Sequence, residues 1–138
     1  MDLHYSFFIG RTSKKIKSAL QKRLSQLDDN LTVDQWLILY VVYLKGEISQ
    51  IDLAENTLKD APAITRIVDH LILKNYLLKN TNADDRRSFK VSLTEEGKEL
   101  VKYLLPHLVE FREKGWQGLT EEDYQTLRRL LNKVFHNY

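Results

Sequence analysis

Apolar side chains return at steps of three and four residues from about position 5 to 27, where Ile9, Ile16, Ala19, Leu20, Leu24 and Leu27 share one side and the lysines the other. That period predicts one amphipathic helix, ended by Asp28-Asp29-Asn30. Thr32 with Gln35 three residues on has the form of a capping box. Trp36 to Leu44 is apolar nearly all the way round, which predicts a second, buried helix. Lys45-Gly46 stops it at the position where glycine favours a left-handed C-cap. Glu47-Ile48 has room only for a token strand, after which Ser49, with Asp52 three residues later, caps a short third helix whose apolar side is Ile51, Leu53 and Ala54.

Asn56 to Asp60 reads as a turn, and Asp60 before Ala61-Pro62 opens a fourth helix, since proline is tolerated in a first turn. Ile64, Ile67, Val68 and Leu71 make its apolar stripe. Ala61, Ala63, Thr65, Arg66, Asp69 and His70 fall mostly off it, and Asn75 closes the helix in the left-handed conformation. Tyr76 to Lys79 is a short apolar run. Across the turn formers Asn82 to Asp85, it faces a segment in which Phe89, Val91 and Leu93 alternate with Ser88, Lys90 and Ser92. This predicts a two-stranded hairpin with Arg86 and Arg87 at its charged tip. Thr94, Glu95 and Glu96 then cap a long helix carrying Leu100, Leu104, Leu108 and Phe111, in which Pro106 predicts a kink or a break costing roughly 3 kcal/mol. Thr120 to Asp123 caps a last helix with Tyr124, Leu127, Leu130, Leu131, Val134 and Phe135 on one side.

The fold class is therefore mainly α with a small β-hairpin. The 138 residues suit a single domain, 1–138, and no apolar run reaches the 18 or so residues of a membrane span. The N-terminus has its apolar cluster before its basic one, the reverse of a secretory signal, so the expected location is cytoplasmic. The absence of cysteine excludes disulfides, thiolate metal sites and thiol chemistry. A net charge of +2 does not announce a nucleic-acid binder, but its distribution is uneven. Residues 1–28 carry six basic against two acidic side chains, and residues 59–90 carry seven against four. Two basic regions on a nearly neutral chain are compatible with a phosphate-binding face; a solvated helix face explains the first equally well.

In order, the elements read as a helix-turn-helix followed by a β-hairpin wing, and in such motifs the second helix enters the major groove with its N-terminal residues at base edges. With those residues in place the chain resembles the MarR family of bacterial winged-helix transcription regulators over essentially its full length. The resemblance rests on Leu31 to Trp36, Ser49 to Ala54, Ile64 to Leu71, and above all Asp85-Arg86-Arg87 followed at the family's spacing by Val91-Ser92-Leu93-Thr94-Glu95-Glu96-Gly97. It implies a winged helix-turn-helix core over 30–95, dimerisation helices over 1–29 and 96–138, and a homodimeric repressor on a near-palindromic operator in double-stranded DNA. It also implies that Arg87 reaches the minor groove with Asp85 pairing to it. Pro62 and Ala63 stand where the family more often has Ser or Thr, which leaves apolar contact with thymine methyls as the substitute. Asn75 stands where the family usually has Gly.

Candidate DNA-binding residues are thus Ser49, Gln50, Ala61, Pro62, Ala63, Thr65, Arg66, His70, Asp85, Arg86 and Arg87. Arg66 suits a base or a phosphate, Thr65 and His70 are equally well surface residues, and the start of the third helix offers backbone N–H groups to phosphate. Asp69 faces DNA only beside a cation or a cytosine amino group. Phe8, Trp36, Tyr40, Tyr43 and Phe111 are candidates to line a pocket for a small aromatic or phenolic effector, against the simpler reading of a plain core. Of four histidines only His107, with Glu110, has a metal-ligand neighbour on a shared helix face, and that pair is expected to be structural. No nucleophile–base order, phosphate loop or paired carboxylate argues for an enzyme, and no cofactor is implied. The rival to a DNA-binding regulator is a winged-helix protein-interaction module, supported by the low net charge and the apolar start of the fourth helix.

Overall fold

The structure, a computed structural model, describes residues 4–28, 30–82 and 85–138, and of residues 82 and 85–88 the backbone alone. Two compact units divide the chain, Met1–Pro106 and His107–Tyr138. The first holds α1 (Tyr5–Leu27), α2 (Val33–Lys45), β1 (Glu47–Ser49), α3 (Gln50–Thr57), α4 (Ala61–Leu73), β2 (Leu77–Asn82), β3 (Asp85–Leu93) and the start of α5 (Glu95–Gly115). The second holds the end of α5 and α6 (Glu121–His136).

The local signals act where the sequence places them. Thr32 and Gln35 close both halves of a capping box on α2, and the Ser49 and Asp60 side chains accept from the N–H of Asp52 and Ala63 at 3.1 and 2.8 Å. Gly46 ends α2 at φ +81°, ψ −62°, a positive-φ turn outside the left-handed helical region. Asn75, at φ +63°, closes α4. Its N–H returns to Ile72 O and that of Tyr76 to Leu71 O, both at 2.9 Å, the paired hydrogen bonds of a Schellman motif.

Leu24, Ile38, Leu39, Val42, Leu53, Val91 and Leu104 are buried in the core of the first unit. Ile64, Val68 and Leu71 add the stripe of α4, and burying side chains of this size at about 1.5–3 kcal/mol each fixes the rotation of that helix. Phe89, Val91 and Leu93 are all buried, as their alternation predicts.

Four expectations need correction. The hairpin is part of a three-stranded antiparallel sheet of order β1-β3-β2, with Glu47 to Ser49 paired against Ser92 to Lys90. Leu44 and Ile51 are 62% and 65% exposed, so α2 is buried along one side only and Leu53 alone is buried in α3. The third helix runs into the expected turn as far as Thr57, whose hydroxyl donates to Leu53 O at 2.6 Å, and Leu58 turns the chain at φ +54°. Of the kink or break expected at Pro106, the break does not occur: α5 runs through the proline as one helix. In α6, capped by Thr120 and Asp123, no residue is buried. No helix among the described residues is long and apolar enough to cross a membrane.

Candidate nucleic-acid interface

Residues 49–73 form the helix-turn-helix. Because Ile64, Val68 and Leu71 face the core, the opposite side of α4 presents Pro62, Arg66, Asp69 and Leu73, with Ala61 and His70 beside them, all exposed; Ala63 and Thr65 are half-buried. The small residues at the start of the helix allow close approach to a surface, and the proline removes a donor that would otherwise need a partner. No ion pair holds Arg66 among the described residues, so its guanidinium is available to a phosphate or a base. Leu73 is 83% exposed on the same side and was not among the candidates; a large apolar residue at the end of a polar face gives no signal by periodicity.

Gln50 and Thr65 do not act separately. The Gln50 amide donates to the Thr65 hydroxyl and to Ala61 O at 3.3 Å, and Thr65 donates to the same carbonyl at 3.0 Å. The first residue of α3 therefore holds the first turn of α4, leaving less hydrogen-bonding capacity for an outside partner. Ser49 caps α3 with its hydroxyl and is half-buried.

The sheet carries the wing. Lys79 sets its ammonium 3.8 Å from the centroid of the Phe89 ring, a cation–π contact across the two strands of the hairpin. On the other side of the sheet Glu47 accepts from Asn80 at 3.4 Å and lies 3.9 Å from Lys90. At the far end Asn82 pairs with Asp85 after a register irregularity, which places Asp85, Arg86 and Arg87 at the start of β3. Their side chains, and any Asp85–Arg87 pairing, lie outside the described residues.

Both ends of α4 are fastened to the body of the unit. At its C-terminus Lys74 donates to Asn30 O and to the buried Gln35 Oε1 at 3.1 Å, while Thr94 donates through its hydroxyl to Asn75 O at 2.7 Å and through its N–H to Tyr76 O at 3.1 Å. At its N-terminus Lys59, the residue before the Asp60 cap, reaches Asp34 of α2 at 3.0 Å, and Lys17 of α1 reaches the same oxygen at 3.4 Å. Burial works against the Asp34 carboxylate, but the hydrogen bond and charge of Lys59, with Lys17, outweigh it and hold its pKa below the ordinary value. Gln21 clasps the loop before α2 from the other side, donating to Leu31 O at 3.1 Å and accepting from Val33 N–H at 2.9 Å. Neither Gln21 nor Asp34 was a candidate from sequence, because their partners lie ten or more residues away.

Of the aromatic candidates in the first unit, Trp36 and Tyr40 stack at 5.4 Å and 16°, Tyr43 is half-buried, and Phe8 meets Phe7 edge-on at 5.8 Å with Arg11 4.9 Å from its ring. Phe111 is half-buried in the second unit. Among the described residues no group of three or more His, Asp or Glu is placed to hold a metal, so His107 and Glu110 are not joined by a third ligand.

Comparison with known proteins places this geometry among regulators. Residues 31–89 match the model of the MarR family. The chain is 25% identical over 131 residues to the HTH-type transcriptional repressor IacR of Pseudomonas putida, covering 95% of this chain and 77% of that protein. Its structure is similar to that of a cysteine-to-serine mutant of MarR from E. coli complexed with operator DNA, with TM-score 0.83 and 26% identity, covering 94% and 91% of the two chains. It is also similar to the S. aureus MepR–DNA complex, with TM-score 0.88 and 23% identity, covering 99% and 100%.

Proposed function

We propose, from the premise that the chain belongs to the MarR family through residues 31–89, that it is a sequence-specific DNA-binding transcriptional regulator working as a dimeric repressor in the cytoplasm. Its role is regulatory and not enzymatic. The observation that carries this reading is α4 itself: a helix fixed in rotation by Ile64, Val68 and Leu71, small at its start, with an exposed Arg66 that no ion pair among the described residues holds. In this reading Ala61, Pro62, Ala63 and Thr65 approach base edges in the major groove, Arg66 and His70 contact bases or phosphates, and the hairpin tip with Arg86 and Arg87 follows the adjacent minor groove.

Two copies are needed for a near-palindromic operator, with α4 helices one DNA turn apart, about 34–36 Å. The apolar surfaces that call for self-association are Ile9 and Ile16 of α1, 39% and 53% exposed, and Leu127, Leu130 and Leu131 of α6, at 40–48%. Residues 1–29 and 96–138 are the proposed dimerisation segments. A small aromatic or phenolic effector is the proposed inducer, with the Trp36–Tyr40 stack as its first platform in the first unit.

The test is binding to genomic DNA fragments at two salt concentrations, with sedimentation of the free protein at micromolar concentration. Affinity should fall steeply as salt rises, because each phosphate contact releases counterions, and the protein should sediment as a dimer. Salt-insensitive or undetectable DNA binding would favour a protein-interaction module instead.

A further inference from the structure

We infer that Asp34 is a positioning residue for DNA binding, acting through Lys59 on the turn that opens α4 and through Lys17 on α1; this rests on the DNA-binding reading above. The Asp34 side chain is 38% exposed and sits in the first turn of α2. One of its oxygens takes Lys59 at 3.0 Å and Lys17 at 3.4 Å. Lys59 is the better buried of the two, its side chain 22% exposed against 60% for Lys17. A lysine so enclosed, and paired, does not swing freely to a phosphate.

The placement of Lys59 is what makes the pair consequential. It follows Leu58, which holds the unfavourable φ of +54°, and precedes Asp60, whose carboxylate caps α4 through Ala63 N–H at 2.8 Å. A leucine in the left-handed region costs free energy that its surroundings must supply. The backbone N–H of Lys59 bonds to Ala54 O at 3.2 Å, and its side chain adds the only ion pair from residues 56–63 among the described residues. The Asp34–Lys59 contact therefore fixes the approach of the chain into the reading helix from outside the helix-turn-helix, while Gln50 fixes its first turn from within. Lys17 brings α1, a proposed dimerisation helix, onto the same oxygen, so the placement of α1 and the entry angle of α4 share one carboxylate.

Removing a negative charge from a DNA-binding protein should tighten binding by simple electrostatics, and freeing Lys59 should tighten it further. Positioning predicts the reverse. Operator binding is measured for the parent, Asp34→Asn, Asp34→Glu, Lys59→Met and the Asp34→Asn/Lys59→Met pair, at a temperature where melting curves show every variant folded. Amide exchange at Ala63 is followed in the DNA-free protein. We expect Asp34→Asn to bind about 3- to 10-fold more weakly, Lys59→Met to match it, the double variant to be no weaker than either single one, and Asp34→Glu to recover part of the loss. Exchange at Ala63 should rise in Asp34→Asn while amides in the middle of α2 keep their protection. Equal or tighter binding by Asp34→Asn, additive losses in the double variant, or unchanged exchange at Ala63 would overturn the role of Asp34. A parent that binds no DNA would instead overturn the functional reading, and the exchange measurement would still decide whether Asp34 holds the turn.

Discussion

The carbonyl oxygen of Tyr76 fills the space in which a side chain at Gly97 would have to begin. Gly97 N–H meanwhile donates to the Thr94 hydroxyl at 2.9 Å, and Thr94 donates to both Asn75 O and Tyr76 O. The end of α4 and the start of α5 are thus in backbone contact, and glycine is the residue that allows it. Gly97→Ala is expected to destabilise the fold by about 1–3 kcal/mol, since backbone and not a flexible side chain must give way. Chemical denaturation would check this, and an unchanged midpoint would show that the two helix ends can separate freely.

Gln50 is expected to serve DNA binding by holding α4. Gln50→Ala should cost about 0.5–1.5 kcal/mol of stability, the ordinary worth of such hydrogen bonds, and Thr65→Val should remove most of the same increment, so that the two losses do not add. A double-mutant cycle in urea measures the coupling. Full additivity would mean that the two side chains act independently and that Gln50 is free to read DNA.

Arg66 and Arg87 should behave differently from these. Arg66→Ala or Arg87→Ala is expected to weaken operator binding by roughly 1–3 kcal/mol with little change in melting temperature. Where the lost contact is a phosphate, the salt slope should also fall by about one unit. Fluorescence titrations at several salt concentrations separate the two contributions; affinity equal to the parent's would remove that arginine from the interface.

Acid should release the Asp34 cluster. Because its folded-state pKa is lowered, the Asp34 carboxylate contributes stability that is present above the unfolded value and is lost as pH falls through the folded one. Asp34→Asn should therefore be less stable than the parent at neutral pH and converge with it at strongly acid pH, flattening the acid limb of the stability curve. Asp123 is lowered too, by its backbone and side-chain hydrogen bonds with Thr120, but it lies fully exposed and should leave a smaller mark. Parallel acid limbs for parent and Asp34→Asn would show that Lys59 and Lys17 do not stabilise the ionised carboxylate.

What could be read from the chain by itself was whatever neighbouring residues decide together. Thr32 with Gln35, Ser49 with Asp52, Asp60 with Ala63 and Thr120 with Asp123 each satisfy a helix end within three residues, so their helices start where the sequence says. The stripe of Ile64, Val68 and Leu71 likewise sets the outward face of α4, and with it Arg66, Asp69 and His70, by helical period alone. Tertiary structure decided what depends on residues distant in sequence. The pairing of Glu47 to Ser49 with β3 joined the token strand and the hairpin into a three-stranded sheet, because nothing within a three-residue strand specifies the distant strand it will pair with. Ile51 and Leu44 are as apolar as their buried neighbours and lie exposed, because one helix face is all that the core can cover. Gln21 on residues 31 and 33, Asp34 between Lys17 and Lys59, and Gly97 against Tyr76 are partnerships 10 to 25 positions apart along the chain. Such partnerships form only once the packed helices have brought their backbones together, and no local preference of either residue encodes the other.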